Sequence, residues 1–200
     1  MKRDQSRFTI DELNLVITNW ESISKEFLGK FKIAKNTIDM RPIVYQAINK
    51  ENIDRLETVL FNMEIKIPFK GKTIIIKTSE TKTTIFEVYY SKPKFSFTVS
   101  NEDYFEKILK LFGSNEFQVD DYNFDKKYLL DTNDQVKFKK FLDYKIRNWL
   151  MDLKICYFDL DTPKAKNKMS IYCIINELSI NKIREQIEMI KYCIEKLAKI

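Results

Sequence analysis

Between residues 61 and 99 apolar and polar positions alternate in short runs. Phe61, Met63, Ile65, Ile67 and Phe69 are interleaved with Asn62, Glu64, Lys66 and Pro68. A period of two is that of a strand with one buried face. Lys70-Gly71 supplies a two-residue turn, glycine taking the positive φ that such turns need. Setting Phe69 opposite Lys72 brings Ile67 to Ile74 and Ile65 to Ile76. Turns at 79–82 and 91–94 then set Ile76 against Phe86, Ile74 against Val88, Val88 against Phe97 and Phe86 against Val99. Two apolar rungs are expected across a four-stranded antiparallel meander, and a slip of one residue would turn a whole apolar set to the wrong face. Pro68 cannot donate to a ladder and suits an edge position for the first strand.

The remaining pattern is helical or mixed. Thr9 and Glu12 form a capping box ahead of Ile10, Leu13, Ile17, Trp20, Ile23 and Phe27, a stripe that Gly29 ends. Arg41-Pro42 marks a break, a short helix is expected at about 43–48, and Asn52 caps another through Leu60. Residues 9–60 therefore read as a helical N-terminal segment, after a disordered start over 1–8, packed on an antiparallel α+β domain at 61–200. Beyond the meander, Phe105, Ile108, Leu109 and Phe112 make a helical stripe closed by Gly113, and 116–131 returns to strand character. Thr132 and Gln135 cap a helix whose buried face carries Phe138, Leu142, Ile146, Trp149 and Leu153. A hairpin then pairs Cys156 with Cys173, Tyr157 with Tyr172, Phe158 with Ile171 and Leu160 with Met169, around a polar loop at 162–167. The last helix follows Ser179 with a seam of Ile183, Ile187, Ile190, Ile194 and Leu197, expected to pack on its own sheet. The fold class expected is α+β: a four-stranded meander, then helix–hairpin–helix–hairpin–helix, with the helical N-terminal segment in front.

Composition narrows the function classes. Three glycines and four prolines in 200 residues leave no room for a long flexible linker. No run of eighteen apolar residues is present, so no membrane span is expected, and MKRDQSRFT has no apolar stretch of a secretory signal behind it. The three cysteines, Cys156, Cys173 and Cys193, sit in apolar contexts and suit a reducing cytoplasm. The net charge of +6 comes from 35 basic residues interleaved with 29 acids. Nucleic-acid binders concentrate their charge on one face, so this reading ranks second.

The chemistry left open is narrow. With no histidine, Ser-His-Asp and Cys-His catalysis and histidine metal ligation are removed together. The glycine count excludes Gly-rich phosphate loops, and no two cysteines have zinc-site spacing. Carboxylate–lysine chemistry remains, of the kind used by metal-dependent nucleases with an acid-x-Lys strand. Glu64-Ile65-Lys66 has that form, but so do Glu80, Asp125, Asp143 and Asp152 with the lysines two residues on, about what random pairing supplies. Asp120, Asp121, Asp125, Asp131 and Asp134 lack EF-hand spacing and read as turn and cap residues.

From Leu111 to Asp134 the chain carries a helix ending at Gly113, an acidic turn with Asp121, then Phe124, Asp125 and Tyr128, and a polar cap at Asn133. This pattern resembles one in uncharacterised bacterial proteins that carry a domain of unknown function, and the likeness runs on through the hairpin and final helix, over about half the chain. Some members of such families are membrane-tethered. The resemblance implies a shared fold, with Phe124 and Tyr128 anchoring a strand to the core, and supplies no activity.

The resulting expectation is a cytoplasmic bacterial protein that is not an enzyme, with no catalytic, cofactor-binding or metal-binding residues and no cofactor. It acts by binding, with another protein as the partner. Non-specific nucleic-acid binding is the alternative, and a carboxylate–lysine metal-dependent hydrolase or nuclease the third. The expected partner-binding residues are Ile75, Ile85 and Tyr89, apolar groups on the polar side of the meander. Either the N-terminal helix lies across them or this face meets the partner.

Overall fold

Lys70 and Gly71 both take positive φ, 48° and 72°, and close the first hairpin. The coordinates form a computed structural model and describe residues 10–33, 63–78, 83–90, 95–101, 117–160, 168–174 and 179–200. The start at 1–8, the helices expected at 43–48, 52–60 and 105–112, the turns at 79–82 and 91–94 and the loop at 162–167 lie outside the described residues.

Among the described residues eight strands form one antiparallel sheet: β1 (Lys30–Ile33), β2 (Met63–Phe69), β3 (Lys72–Thr78), β4 (Thr83–Tyr89), β5 (Phe97–Asn101), β6 (Tyr128–Thr132), β7 (Ile155–Leu160) and β8 (Lys168–Ile174). Their spatial order is β1-β2-β3-β4-β8-β7-β5-β6. The described helices are α1 (Ile10–Glu26), α2 (Tyr122–Asp125), α3 (Gln135–Phe141), α4 (Tyr144–Asp152) and α5 (Ile180–Leu197).

The α+β class stands, but the four-stranded meander does not. β2, β3 and β4 pair in the expected register, Ile65 with Ile76, Ile67 with Ile74, Ile76 with Phe86 and Ile74 with Val88. The partner of β4 is β8, which sets Phe86 against Ile171 and Val88 against Met169. β7 follows, with Phe158 opposite Ile171 and Leu160 opposite Met169, and only then β5, with Val99 opposite Phe158 and Phe97 opposite Leu160. Phe97 and Val99 thus keep their rungs while two strands are inserted ahead of them. The reason is physical: the β7–β8 hairpin carries the same apolar alternation, so it fits between β4 and β5 without breaking either rung. One rung crosses all eight strands through Phe31, Ile65, Ile76, Phe86, Ile171, Phe158, Val99 and Leu130.

The wholly helical N-terminal segment is also corrected. α1 ends at Glu26; Leu28 turns the chain in the left-handed region (φ 53°), and Lys30–Ile33 forms β1 on β2. Gly29 permits this turn, because a Cβ there would sit 2.8 Å from the Lys66 carbonyl and 3.1 Å from Ile67 Cγ1. β1 reaches β2 only as far as Lys66, so Pro68 lies beyond it and no ladder donor is lost.

Two further differences are local. The expected hairpin before α3 is replaced by the short α2 and by β6, which pairs with β5. The expected single helix from Thr132 breaks into α3 and α4, because Leu142 leaves helical geometry (ψ 60°) and Asp143 caps a new start by accepting from the Ile146 backbone N–H at 3.0 Å. The α3 cap is Asp134, which accepts from Lys137 N, not Thr132. In β7 a bulge places Ile155, not Cys156, opposite Cys173.

The described helices α1, α3, α4 and α5 pack on one face of the sheet. Val16, Trp20 and Ile23 of α1, Phe138 and Phe141 of α3, Ile146 and Leu150 of α4, and Ile183, Ile187, Ile190 and Ile194 of α5 join the rungs in one buried core. The α5 seam therefore packs internally. Phe97 lies 5.0 Å from the rings of Phe138, Phe141 and Phe158 alike, which ties α3 to β5 and β7.

Candidate functional site

The strand period that fills the inner face dictates the outer one. Across β1 to β4 one outer row reads Lys32, Glu64, Lys77, Ile85, and the next reads Lys30, Lys66, Ile75, Glu87. Pro68 and Thr73 follow on β2 and β3, with Tyr89 at the end of β4. Ile75 and Ile85 thus lie on one diagonal of a four-residue square and Lys77 and Glu87 on the other.

The ionic diagonal is closed. Lys77 Nζ donates to Glu87 Oε2 at 2.9 Å, and the Tyr89 hydroxyl lies 3.3 Å from the same oxygen. Glu87 is buried, 8% exposed. Burial alone would lower the Lys77 pKa, but the hydrogen bond and charge of Glu87, with the charge of Glu64, raise it overall. Lys77 is consequently a fixed cation and not a free amine for nucleophilic or base chemistry. Glu64 takes Lys32 at 3.0 Å and Lys66 at 3.6 Å on one oxygen. The acid-x-Lys pair on β2 is thus an ion pair on a sheet face, and no cluster of three or more potential metal-ligating His, Cys, Asp or Glu residues occurs among the described residues.

Of the expected partner residues, the structure brings Ile75, Ile85 and Tyr89 to the same face. Ile75 and Ile85 are half-buried, and Tyr89 is 48% exposed. α1 does not lie across them, because its Val16, Trp20 and Ile23 are buried in the core on the other face, where Glu26 also pairs with Arg184 at 2.8 Å. One corner of the outer face is open: Lys30, Lys32, Lys66, Pro68, Thr73 and Tyr89 are all exposed. Farther along, Ser100 on the same face is fully buried. Lys30 and Lys32 were hidden from sequence reasoning by the helical reading of 9–60. The signal was there, since Lys-Phe-Lys-Ile after Gly29 is a strand alternation.

The acidic stretch has a structural use. Asp121 caps α2 and pairs with Arg147 at 3.0 Å; Asp125 accepts from the backbone N–H groups of Val119 and Asp121, each at 3.0 Å. Phe124 and Tyr128 stack at 4.8 Å and are buried, and the Tyr128 hydroxyl donates to the Leu150 carbonyl at 2.7 Å. Asn133 accepts from Ser96 N at 2.8 Å. Asp121, Phe124, Asp125 and Tyr128 thus make a clasp that fastens α2, β6 and α4, while Asn133 ties the end of β6 to Ser96 ahead of β5; Gly113 lies outside the described residues. A second clasp joins α4 to α5, where Asp143 accepts from Tyr192 OH at 2.7 Å and from Lys196. No helix among the described residues is long and apolar enough to cross a membrane.

No protein-family model and no curated protein matches the chain. Among solved structures, the crystal structure of the mycobacterial trehalose monomycolate transport factor A is similar at a TM-score of 0.46 and 9% identity, over 89% of this chain and 95% of that one. A likeness at that level transfers neither fold nor function.

Proposed function

We propose that this chain is a cytoplasmic bacterial protein that acts by binding another protein through the open corner of the outer sheet face, with Tyr89 as anchor and Ile75 and Ile85 beside it. The observation that carries this reading is that Tyr89 stays 48% exposed beside an apolar diagonal that α1 leaves uncovered. Aromatic side chains backed by a rigid surface are the groups that dominate protein interfaces. The Lys77–Glu87 pair supplies that rigidity. No catalytic role is proposed, and the resemblance over 111–134 to uncharacterised bacterial domains adds a shared fold, not an activity.

The test is photo-crosslinking in the host cell, with a benzophenone amino acid replacing Tyr89 in one variant and Tyr144, exposed on α4 of the opposite layer, in another. One discrete protein adduct at position 89 and none at 144 is expected. No adduct at 89, equal adducts at both positions, or an adduct removed by nuclease would overturn the reading.

A further inference from the structure

The geometry points to strand addition at β1: an extended acidic segment of the partner pairs with the outer edge of β1, which no described strand occupies, and lays its carboxylates over Lys30, Lys32 and Lys66. This rests on the protein-binding reading above and names the chemistry of the partner. β1 is the terminal strand, and among the described residues no strand takes up its outer edge. Such an edge offers a row of backbone donors and acceptors to any extended chain, and proteins guard it with lysine. Here the guard is also a filter. Lys30 and Lys32 stand on the outer side of β1 and Lys66 beside them on β2, whereas Phe31 points into the apolar rung. Opposite charges on facing strands attract and like charges repel, so this edge disfavours basic strands and favours acidic ones.

The local charge agrees. Four ammonium groups, Lys30, Lys32, Lys66 and Lys77, stand against two carboxylates, Glu64 and Glu87, whose side chains are only 15% and 10% exposed. A separate observation marks the entry to the edge. Leu28, two residues before β1, is 84% exposed and holds a left-handed φ of 53°. Glycine or asparagine suits that conformation, and a bulky exposed leucine gains nothing for the fold. An incoming strand that runs past Lys30 meets this side chain and covers it.

The full chain is titrated with labelled peptides and followed by amide hydrogen exchange. One peptide is an alternating Glu-Val repeat. The other is the same repeat N-methylated at every residue, which keeps the charge and has no backbone N–H to donate. The Glu-Val peptide is expected to bind in a salt-sensitive manner and to slow exchange at 28–33. The N-methylated peptide should bind about tenfold more weakly, having lost its ladder donors. Lys30→Glu, whose cross-strand neighbour is Lys66, should weaken the Glu-Val peptide at least about fivefold with no drop in melting temperature, and Leu28→Gly should weaken it less. Equal binding of the two peptides, protection confined to other strands, indifference to the charge reversal, or no binding would overturn strand addition. If that happens while the crosslink at position 89 persists, the protein-binding reading stands alone. Tighter binding of a single-stranded oligonucleotide at the same lysines would overturn both.

Discussion

The two faces of this sheet are built from the same strands by opposite rules. On the inner face Phe86 is inaccessible and surrounded by Ile76, Ile171 and the helix layer, so what matters is volume. One residue away on either side, Ile85 is half-buried and Glu87 is a buried carboxylate paired with Lys77. The inner face is therefore intolerant of size and the outer face intolerant of unpaired charge. A site meant to stay open fits only the second.

The largest expected effect lies on the inner side. Phe86→Ala should cost about 3–5 kcal/mol, as large-to-small changes at fully packed aromatic sites do. Ile85→Ala, half-exposed, should cost about 1 kcal/mol or less. Urea unfolding of the two variants checks the contrast. Equal losses would mean that the outer face is as tightly packed as the core, and the partner site would lose its basis.

Next in size is the contrast between two glycines. Gly29→Ala forces a Cβ to within 2.8 Å of a backbone oxygen of β2, an overpacking cost of about 1–3 kcal/mol. Gly71→Ala has nothing within 4 Å and meets only the strain of its φ of 72°, about 1 kcal/mol. A melting-temperature comparison that put Gly71→Ala lower would show that the β1 turn yields, and with it the edge on which strand addition depends.

How far these features were legible follows from what sequence periodicity encodes. The pairing of Ile65 with Ile76 and of Ile74 with Val88 was readable, because a tight turn and a strict alternation determine register locally. The neighbour of Val88 was not, because Met169 lies some eighty residues on and carries the same alternation as Phe97. Alternation assigns a side chain to a face and a rung; it does not say which strand comes next. The same limit applies to the site. Ile75, Ile85 and Tyr89 could be placed on one face from parity alone, but their exposure depended on where α1 went. Lys30 and Lys32 joined them only through a strand of four residues. The bulge at Cys156 left no mark, since Ile155–Leu160 alternates well enough with or without it.

A smaller and pH-dependent effect is expected in the helix layer. Burial pushes the Asp143 carboxyl up, but hydrogen bonds from Lys196, the Ile146 N–H and Tyr192 more than offset this and hold its pKa below the usual value. A depressed carboxyl contributes stability above the ordinary carboxylate range and loses it as pH falls through the folded value. Tyr192 has the reverse sense. Its hydrogen bond to Asp143, then burial and the Asp143 charge, push its pKa up to about 12. Its contribution is complete below the ordinary phenol value of about 10 and is lost as pH rises toward the folded one. Asp143→Ala should cost about 0.5–2 kcal/mol near neutrality as a lost cap, and Asp143→Asn less, because asparagine also caps. Melts across pH should show the acid-side loss diminished in both variants. The outer face should not share it if the clasp is confined to the helices.

The smallest expected change in stability belongs to Tyr89, and it separates the faces most cleanly. Its ring is half in solvent, and its hydroxyl lies 3.3 Å from Glu87 Oε2, too long for a strong hydrogen bond. Glu87 keeps Lys77 at 2.9 Å without it. Tyr89→Ala should therefore shift unfolding by no more than about 0.5 kcal/mol, as surface substitutions away from caps and cores do. Loss of an aromatic anchor from an interface costs at least about 2 kcal/mol in binding, some thirtyfold in affinity. Unfolding of the free protein and affinity for the crosslinked partner, measured on the same variant, should thus diverge. A variant that melts unchanged and binds unchanged would remove Tyr89 from the interface. One that melts several degrees lower would make it a structural residue, and the open corner would then rest on its lysines alone.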